Sequence, residues 1–310
     1  MLDVLKIRKD FPMFENNPNM CYLDNGATSL KPKCVIDKMN EYYMNYGVNI
    51  HRGVYELSYK ATDEFDLARE KVAKFINSKP EEVIFVRNAS EALNLCALTY
   101  GEENIKEEDE IVTSELEHHS SVLPWMILAK RKNAKLKYIP LDETGRITVA
   151  NFLNTITDKT KVIAITYVSN VMGYVTPIKE IIKIAHERGI IVVVDAAQAV
   201  AHMKVDVKEL DCDFLAFSGH KMLGPTGVGV LYGKKSILKK LSPLYYGGDM
   251  NEEVYKENVD VKDIPSRFET GTPDIASVIG LGAAIDYLSS IGFDNIHEYT
   301  LNLYNYMMAV

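Results

Sequence analysis

Phe214-Leu215-Ala216-Phe217-Ser218-Gly219-His220-Lys221-Met222-Leu223-Gly224-Pro225 opens as a short apolar run and turns on a lysine. Four consecutive apolar residues bounded by small and polar ones read as a buried strand. The Gly-rich tail Gly227-Val228-Gly229-Val230-Leu231-Tyr232-Gly233 reads as a turn into the next strand. A lysine between two buried strands is costly as a cation unless something uses it. Burial frees the amine of such a lysine for condensation with a carbonyl compound. A plain loop lysine in solvent is the competing reading, and the rest of the chain decides between them.

Upstream, the same grammar repeats. Glu82–Val86, Glu110–Thr113, Leu136–Pro140, Lys161–Val168 and Ile190–Val194 are short apolar runs, with helical spacings between them. Helices are expected over Leu5–Phe14, ending near Pro12, and over Pro32–Tyr46, Ala61–Asn77, Val149–Ile156 and Ile178–Arg188. Two further helices are expected, one opening at Glu91 behind an N-cap at Ser90 and one around Trp125. Strands that are apolar throughout and alternate with helices predict an α/β fold whose mainly parallel sheet is sandwiched by helices. In such sheets ligands bind beyond the carboxyl ends of the strands. Ser90, His118, Asn170, Asp195, Gln198 and Lys221 all follow such ends.

Bulk properties narrow the classes. The chain has 310 residues, 25% of them charged, and a net charge of -8. That balance argues against a dedicated nucleic-acid binder, which needs clustered Lys and Arg. Cys21, Cys34, Cys96 and Cys212 have no spacing that indicates zinc or a disulfide frame. The amino-terminal residues from Met1 carry no apolar leader, and no apolar run reaches membrane-spanning length. A cytoplasmic protein without membrane or nucleic-acid partners is the expectation.

The residue types at the strand ends suit one cofactor. Asp195 would hold a protonated ring nitrogen, the task of an acid at a pyridoxal 5'-phosphate (PLP) site. Gln198, Asn170 and His118 would hydrogen-bond a phenolic oxygen or stack on a ring. Ser90, Ser218 and His220, with the backbone after Ala89, would hold a phosphate, using a helix N-terminus as the anion site. Lys221 supplies the amine that traps an aldehyde. Each residue alone has a plainer reading, as a turn acid, a capping serine or a core histidine. Their assembly at one sheet edge favours PLP.

Seven segments together resemble the class V aminotransferase family of fold-type I PLP enzymes, and within it the SufS-type (group II) cysteine desulfurases. They are Tyr22-Leu23-Asp24-Asn25-Gly26-Ala27, Asn49-Ile50-His51-Arg52-Gly53, Glu115-Leu116-Glu117-His118-His119-Ser120, Ser169-Asn170-Val171-Met172-Gly173, Val194-Asp195-Ala196-Ala197-Gln198, Ser218-Gly219-His220-Lys221 and Phe268-Glu269-Thr270-Gly271-Thr272-Pro273. The resemblance implies that Lys221 carries the cofactor, Asp195 partners the pyridine nitrogen and Gln198 the phenolic oxygen. It places Asn170 at the ring and His118 stacked on it, with Ala89, Ser90, Ser218 and His220 at the phosphate. In a homodimer of this kind Gly271 and Thr272 would reach the neighbouring subunit's phosphate, while Ala27 and Arg52 would lie near the substrate.

The implied reaction converts L-cysteine to L-alanine and passes the sulfur, as an enzyme persulfide, to an acceptor protein for iron–sulfur cluster assembly. A selenocysteine lyase, or another class V PLP β-lyase or aminotransferase, is the alternative within the fold, and an inactive dimerising scaffold the alternative outside it. The implied organisation is an N-terminal segment at 1–21, a PLP-binding large domain at 22–288 and the start of a truncated small domain at 289–310. The spacing of Ile296, Tyr299, Leu303, Met307 and Val310 is helical and ends without a capping signal. The family's nucleophilic cysteine and its carboxylate-holding arginine belong to that small domain. The expectation is therefore a chain inactive as a desulfurase by itself.

Overall fold

The computed structural model describes residues 2–309; Met1, and Val310 at the end of the C-terminal stripe, lie outside them. Among the described residues, seven strands form the main sheet: β1 Val83–Val86, β2 Glu110–Ser114, β3 Lys135–Ile139, β4 Thr160–Thr166, β5 Ile191–Asp195, β6 Phe214–Ser218 and β7 Gly229–Gly233. Their spatial order is β1-β7-β6-β5-β4-β2-β3. Strands β3 through β6 in that order are parallel, and β7 runs antiparallel to both β6 and β1. The mainly parallel mixed sheet expected from the apolar runs is present, because strands without polar alternation can be satisfied only with both faces covered.

Side-chain alternation along the central strands divides the core into two layers. Ile163, Ile165, Val192, Val194, Leu215 and Phe217 pack with the helices Lys33–Asn45, Glu56–Phe75, Ile178–Glu187 and Ile275–Ile291. Val162, Ala164, Val193, Phe214 and Ala216 face the other way, toward Ala89–Cys96 and His119–Lys132. Each large apolar side chain buried in this way contributes about 1.5–3 kcal/mol. No single helix among the described residues is long and apolar enough to cross a membrane. Ile275–Ile291 is apolar around most of its circumference because its first three turns lie inside the core, and so it shows no stripe in the sequence; Asp286, Ser289 and Ser290 near its end are exposed.

Two expected helices differ. Leu5–Phe14 is not one helix but two, Val4–Arg8 and Pro12–Asn16, because Pro12 has no N–H to continue the first and instead opens the second. The helix expected at Ala61–Asn77 spans Glu56–Phe75; in its first turn Glu56, Leu57 and Tyr59 are exposed and the buried residue is the polar Ser58, so no apolar stripe marks it. Asn77, with φ of 57°, turns the chain out just beyond its end. A small antiparallel hairpin, β8 Asn251–Val254 with β9 Val259–Val261, has no counterpart in the sequence reading. Its alternation is weak because most of its residues are exposed.

Candidate active site

Five carboxyl ends converge. Residues following β1, β2, β4, β5 and β6 line one cavity of about 580 Å³, within the usual range for a small-molecule site. Every residue singled out in the sequence lines it except Arg52, Gly271 and Thr272. Arg52 instead pairs with Asp249. Gly271 and Thr272 lie on a separate cavity of about 240 Å³ beside Arg87 and Glu91.

Asp195 ends the central strand β5. Its Oδ1 accepts from the Ala197 N–H at 2.9 Å, and it is 5% exposed. Burial raises its carboxyl above the usual range, opposed by the Ala197 N–H and by the Lys221 and His118 charges. Among the described residues it has no ion-pair partner. A buried carboxylate in that state is destabilised until a cation or donor meets it.

Lys221 lies in a single helical turn, Gly219–Lys221, directly after β6, and is partly exposed rather than sealed between strands. The turn is tied to a distant segment. The His220 carbonyl accepts from the Ser29 N–H at 2.9 Å, the Ser29 hydroxyl at 3.0 Å, the Thr28 hydroxyl at 3.2 Å and Lys31 Nζ at 3.1 Å. Burial, then Lys221 and Lys31, hold the His220 ring below the usual imidazole range.

His118 caps the His119–Lys132 helix: its Nδ1 accepts from the Ser120 N–H at 3.1 Å. That bond assigns the proton of the neutral ring to Nε2. Burial and the Lys221 charge pull its pKa down, which favours the neutral form. Gln198 donates through Nε2 to the Gly26 carbonyl at 2.8 Å, which holds the Gly26-Ala27 turn over the cavity. Asn170 is exposed in the turn after β4, where the Ser169 hydroxyl accepts from the N–H groups of Val171 and Met172.

The anion end differs from the sequence reading in one respect. Asn88, not Ser90, is the N-cap of Ala89–Cys96; its Oδ1 accepts from the Glu91 N–H at 3.0 Å. Ser90 is inside the first turn, and its hydroxyl shares a 2.6 Å hydrogen bond with that of Ser120. The Ala89 N–H donates to the Ser218 hydroxyl at 2.8 Å, joining the helix start to the end of β6. Gly229 makes this approach possible: a Cβ there would lie 2.6 Å from the Asn88 Cα. Asn88, Ser120 and Thr166 also line the cavity, although the sequence reading assigned none of them a role; Lys31, likewise without one, bonds the His220 carbonyl beside it. The Asn at the strand-to-helix junction was the available signal for the cap.

These residues fit PLP. A destabilised buried acid, a primary amine, a neutral imidazole and a helix N-terminus with two serine hydroxyls share one cavity of suitable size. A sheet of this kind with that donor set defines a PLP-dependent enzyme. The chain belongs to the aminotransferase class-V family, whose model matches residues 21–310. It is 50% identical over 305 residues to a probable cysteine desulfurase of Halalkalibacterium halodurans, covering 96% of this chain and 75% of the relative. The structure of apo cysteine desulfurase from Thermococcus onnurineus NA1 superposes with a TM-score of 0.91 at 43% identity, covering 95% of this chain and 72% of that one. The Escherichia coli cysteine desulfurase CsdA, in its S-sulfonic acid form, gives 0.89 at 35% identity, covering 95% and 74%.

Proposed function

We propose that the chain acts on L-cysteine as a PLP-dependent desulfurase, releasing L-alanine and delivering sulfur toward iron–sulfur cluster assembly. The observation that carries this reading is the single cavity shared by Lys221, Asp195, His118 and the helix-start donors, in a chain half identical to a probable cysteine desulfurase. Bound PLP supplies an electron sink that acidifies the α-hydrogen of an amino acid and loosens its β-substituent.

Lys221 would hold the cofactor aldehyde, and its amine, when free, would serve as a base toward the α-hydrogen. Asp195 keeps the ring nitrogen protonated, which relieves its own burial. His118 would pack against the ring, with the proton of its neutral imidazole held at Nε2. Gln198 serves the phenolic oxygen and Asn170 the ring edge. Ala89, Ser90, Ser218 and His220 receive the phosphate, and Ala27 lies on the substrate side.

None of the four cysteines lines the cavity: Cys21 and Cys34 are exposed elsewhere, and Cys96 and Cys212 are buried in the core. Desulfuration needs a thiolate to take the substrate sulfur while the β-carbon gains a proton to leave as alanine. That thiolate must be brought to the cavity by another segment or another molecule. The cavity bearing Gly271 and Thr272, set apart from Lys221, supports a homodimer in which these residues serve the partner's phosphate. A domain boundary near residue 288 is supported by the change from buried Ile275–Ile291 to Phe293–Ala309, where no described residue is buried.

The test is a visible absorbance titration with PLP of the wild type beside Lys221→Ala, then alanine release from L-cysteine with dithiothreitol as acceptor. A cofactor band and alanine formation that both vanish in the variant are expected. Equal behaviour of the two proteins would overturn the role of Lys221.

A further inference from the structure

Glu117 directly precedes His118 and has no part in the chemistry above. Its Oε1 accepts from the Ser114 hydroxyl at 2.7 Å and from the Thr166 N–H at 2.8 Å. One carboxylate thus bridges the carboxyl ends of β2 and β4 under the His118 turn. Its buried Oε2 faces the Ser121 hydroxyl on the helix packed above, and neither atom has a hydrogen bond of good geometry to any other group. Among the described residues no cation pairs with it. The charged group facing it is Asp195, on β5, whose backbone is the register partner of Thr166. Two buried carboxylates side by side cannot both be comfortably ionised. Burial, and then the Asp195 charge, push the Glu117 carboxyl up to about 7, against the pull of its hydrogen bonds.

We propose that Glu117 is a positioning residue that works as a neutral carboxylic acid, pinning the His118 turn to β2 and β4 and leaving Asp195 as the sole buried anion at the cavity floor. The proposal rests on the PLP reading, since its purpose is to keep the charge of Asp195 for the ring nitrogen. A glutamine can reproduce both accepted hydrogen bonds and is neutral by nature. An alanine can do neither, and the Ser114 hydroxyl and Thr166 N–H lose their acceptor.

The test combines infrared difference spectra with PLP binding by wild type, E117Q, E117A and S114A at about pH 6, below the usual histidine pKa. The wild type is expected to show the carbonyl stretch of a protonated carboxylic acid that E117Q lacks. E117Q is expected to bind PLP within about threefold of wild type and E117A about tenfold or more weakly, the size expected for stranding a buried donor. S114A, which leaves the acid in place with one anchor fewer, is expected to fall between them and serves if E117A does not fold. Absence of the carbonyl band, E117Q as weak as E117A, or no loss in E117A and S114A would each overturn the proposal. Failure of the wild type itself to bind PLP would overturn the PLP reading, and this inference with it.

Discussion

Lys31 Nζ lies 3.1 Å from the carbonyl oxygen of His220, across a sequence separation of 189 residues. It shares that acceptor with Thr28 and Ser29, and no carboxylate pairs with it among the described residues. Burial pulls its pKa down to about 8. The native state therefore releases this proton earlier than the unfolded chain, whose lysines titrate near about 10.4. Stability rises with pH wherever the unfolded state holds more protons. Wild-type stability relative to Lys31→Met should therefore increase from about pH 8 to about pH 10.4. Urea unfolding of both proteins at the two ends of that window checks it, and a constant difference would refute it.

Asp195→Asn should separate stability from binding. The folded-state pKa of the acid lies above its unfolded value, so ionisation works against folding once pH exceeds the unfolded value of about 3.9. The amide removes that burden, and the apo variant should melt higher than wild type near neutral pH. It also removes a charge-assisted hydrogen bond, so PLP affinity should drop by about tenfold or more. Melting curves with and without PLP read both effects, and unchanged PLP stabilisation would sink the assignment.

Arg69 and Glu269 form a fork-to-fork pair, each N···O distance 2.8 Å, with side chains 9% and 15% exposed. Glu269 also accepts from the Phe85 N–H at 2.7 Å, and Arg69 donates to the Val83 carbonyl at 2.7 Å. The pair thus fastens the segment that leads into Gly271-Thr272 onto edge strand β1. Arg69→Met strands a buried carboxylate and should cost about 3 kcal/mol or more. Its denaturation midpoint should fall at low and high salt alike, because a buried pair is little screened. A loss that salt erases would contradict this.

Gly229→Ala puts a methyl group against the Asn88 backbone, with the Phe217 carbonyl also within 2.9 Å. Overpacking of this kind costs about 1–3 kcal/mol. The strain falls on the helix start that carries Ala89 and Ser90. Affinity for inorganic phosphate and for PLP should fall together, by about tenfold. Retained phosphate binding would show that the helix start had not moved.

The sheet was legible because continuous apolar runs such as Ile190–Val194 have few other uses than a central parallel strand. The cavity was legible for a related reason: chain direction in such a sheet sends Asp195, Lys221 and His118 to the same edge. What the sequence hid depended on partners far along the chain. Arg52 sits in a polar loop beside His51, and nothing local reveals Asp249 as its partner. Ser90 has a capping side chain, but Asn88 two residues earlier takes that position and Ser120 claims the Ser90 hydroxyl. Glu117 reads as one acid among the turn residues after β2, since its burial comes from β4 and β5 packing around it. Pro12 was visible yet placed at the end of a helix rather than at the start of the next.

The order of the strands also sets a timetable. Edge strand β1 finds its sheet neighbour only in β7, and the Ala89 N–H meets the Ser218 hydroxyl 129 residues later. At ribosomal speeds of roughly 5–20 residues per second, the first half of the anion site waits on the order of ten seconds for the second. During that wait β2, β4 and β5 can already pair in parallel, while Val83–Val86 stays an unpaired apolar segment. The residues beyond β2, β4, β5 and β6 can gather first, and the β1 end with Ala89 and Ser90 joins them only after β7, which carries its sole sheet partner, has been made. A nascent chain paused before β7 would hold most of its hydrophobic sheet and the amine and acid of its cofactor cradle, without the helix-start half that receives the phosphate.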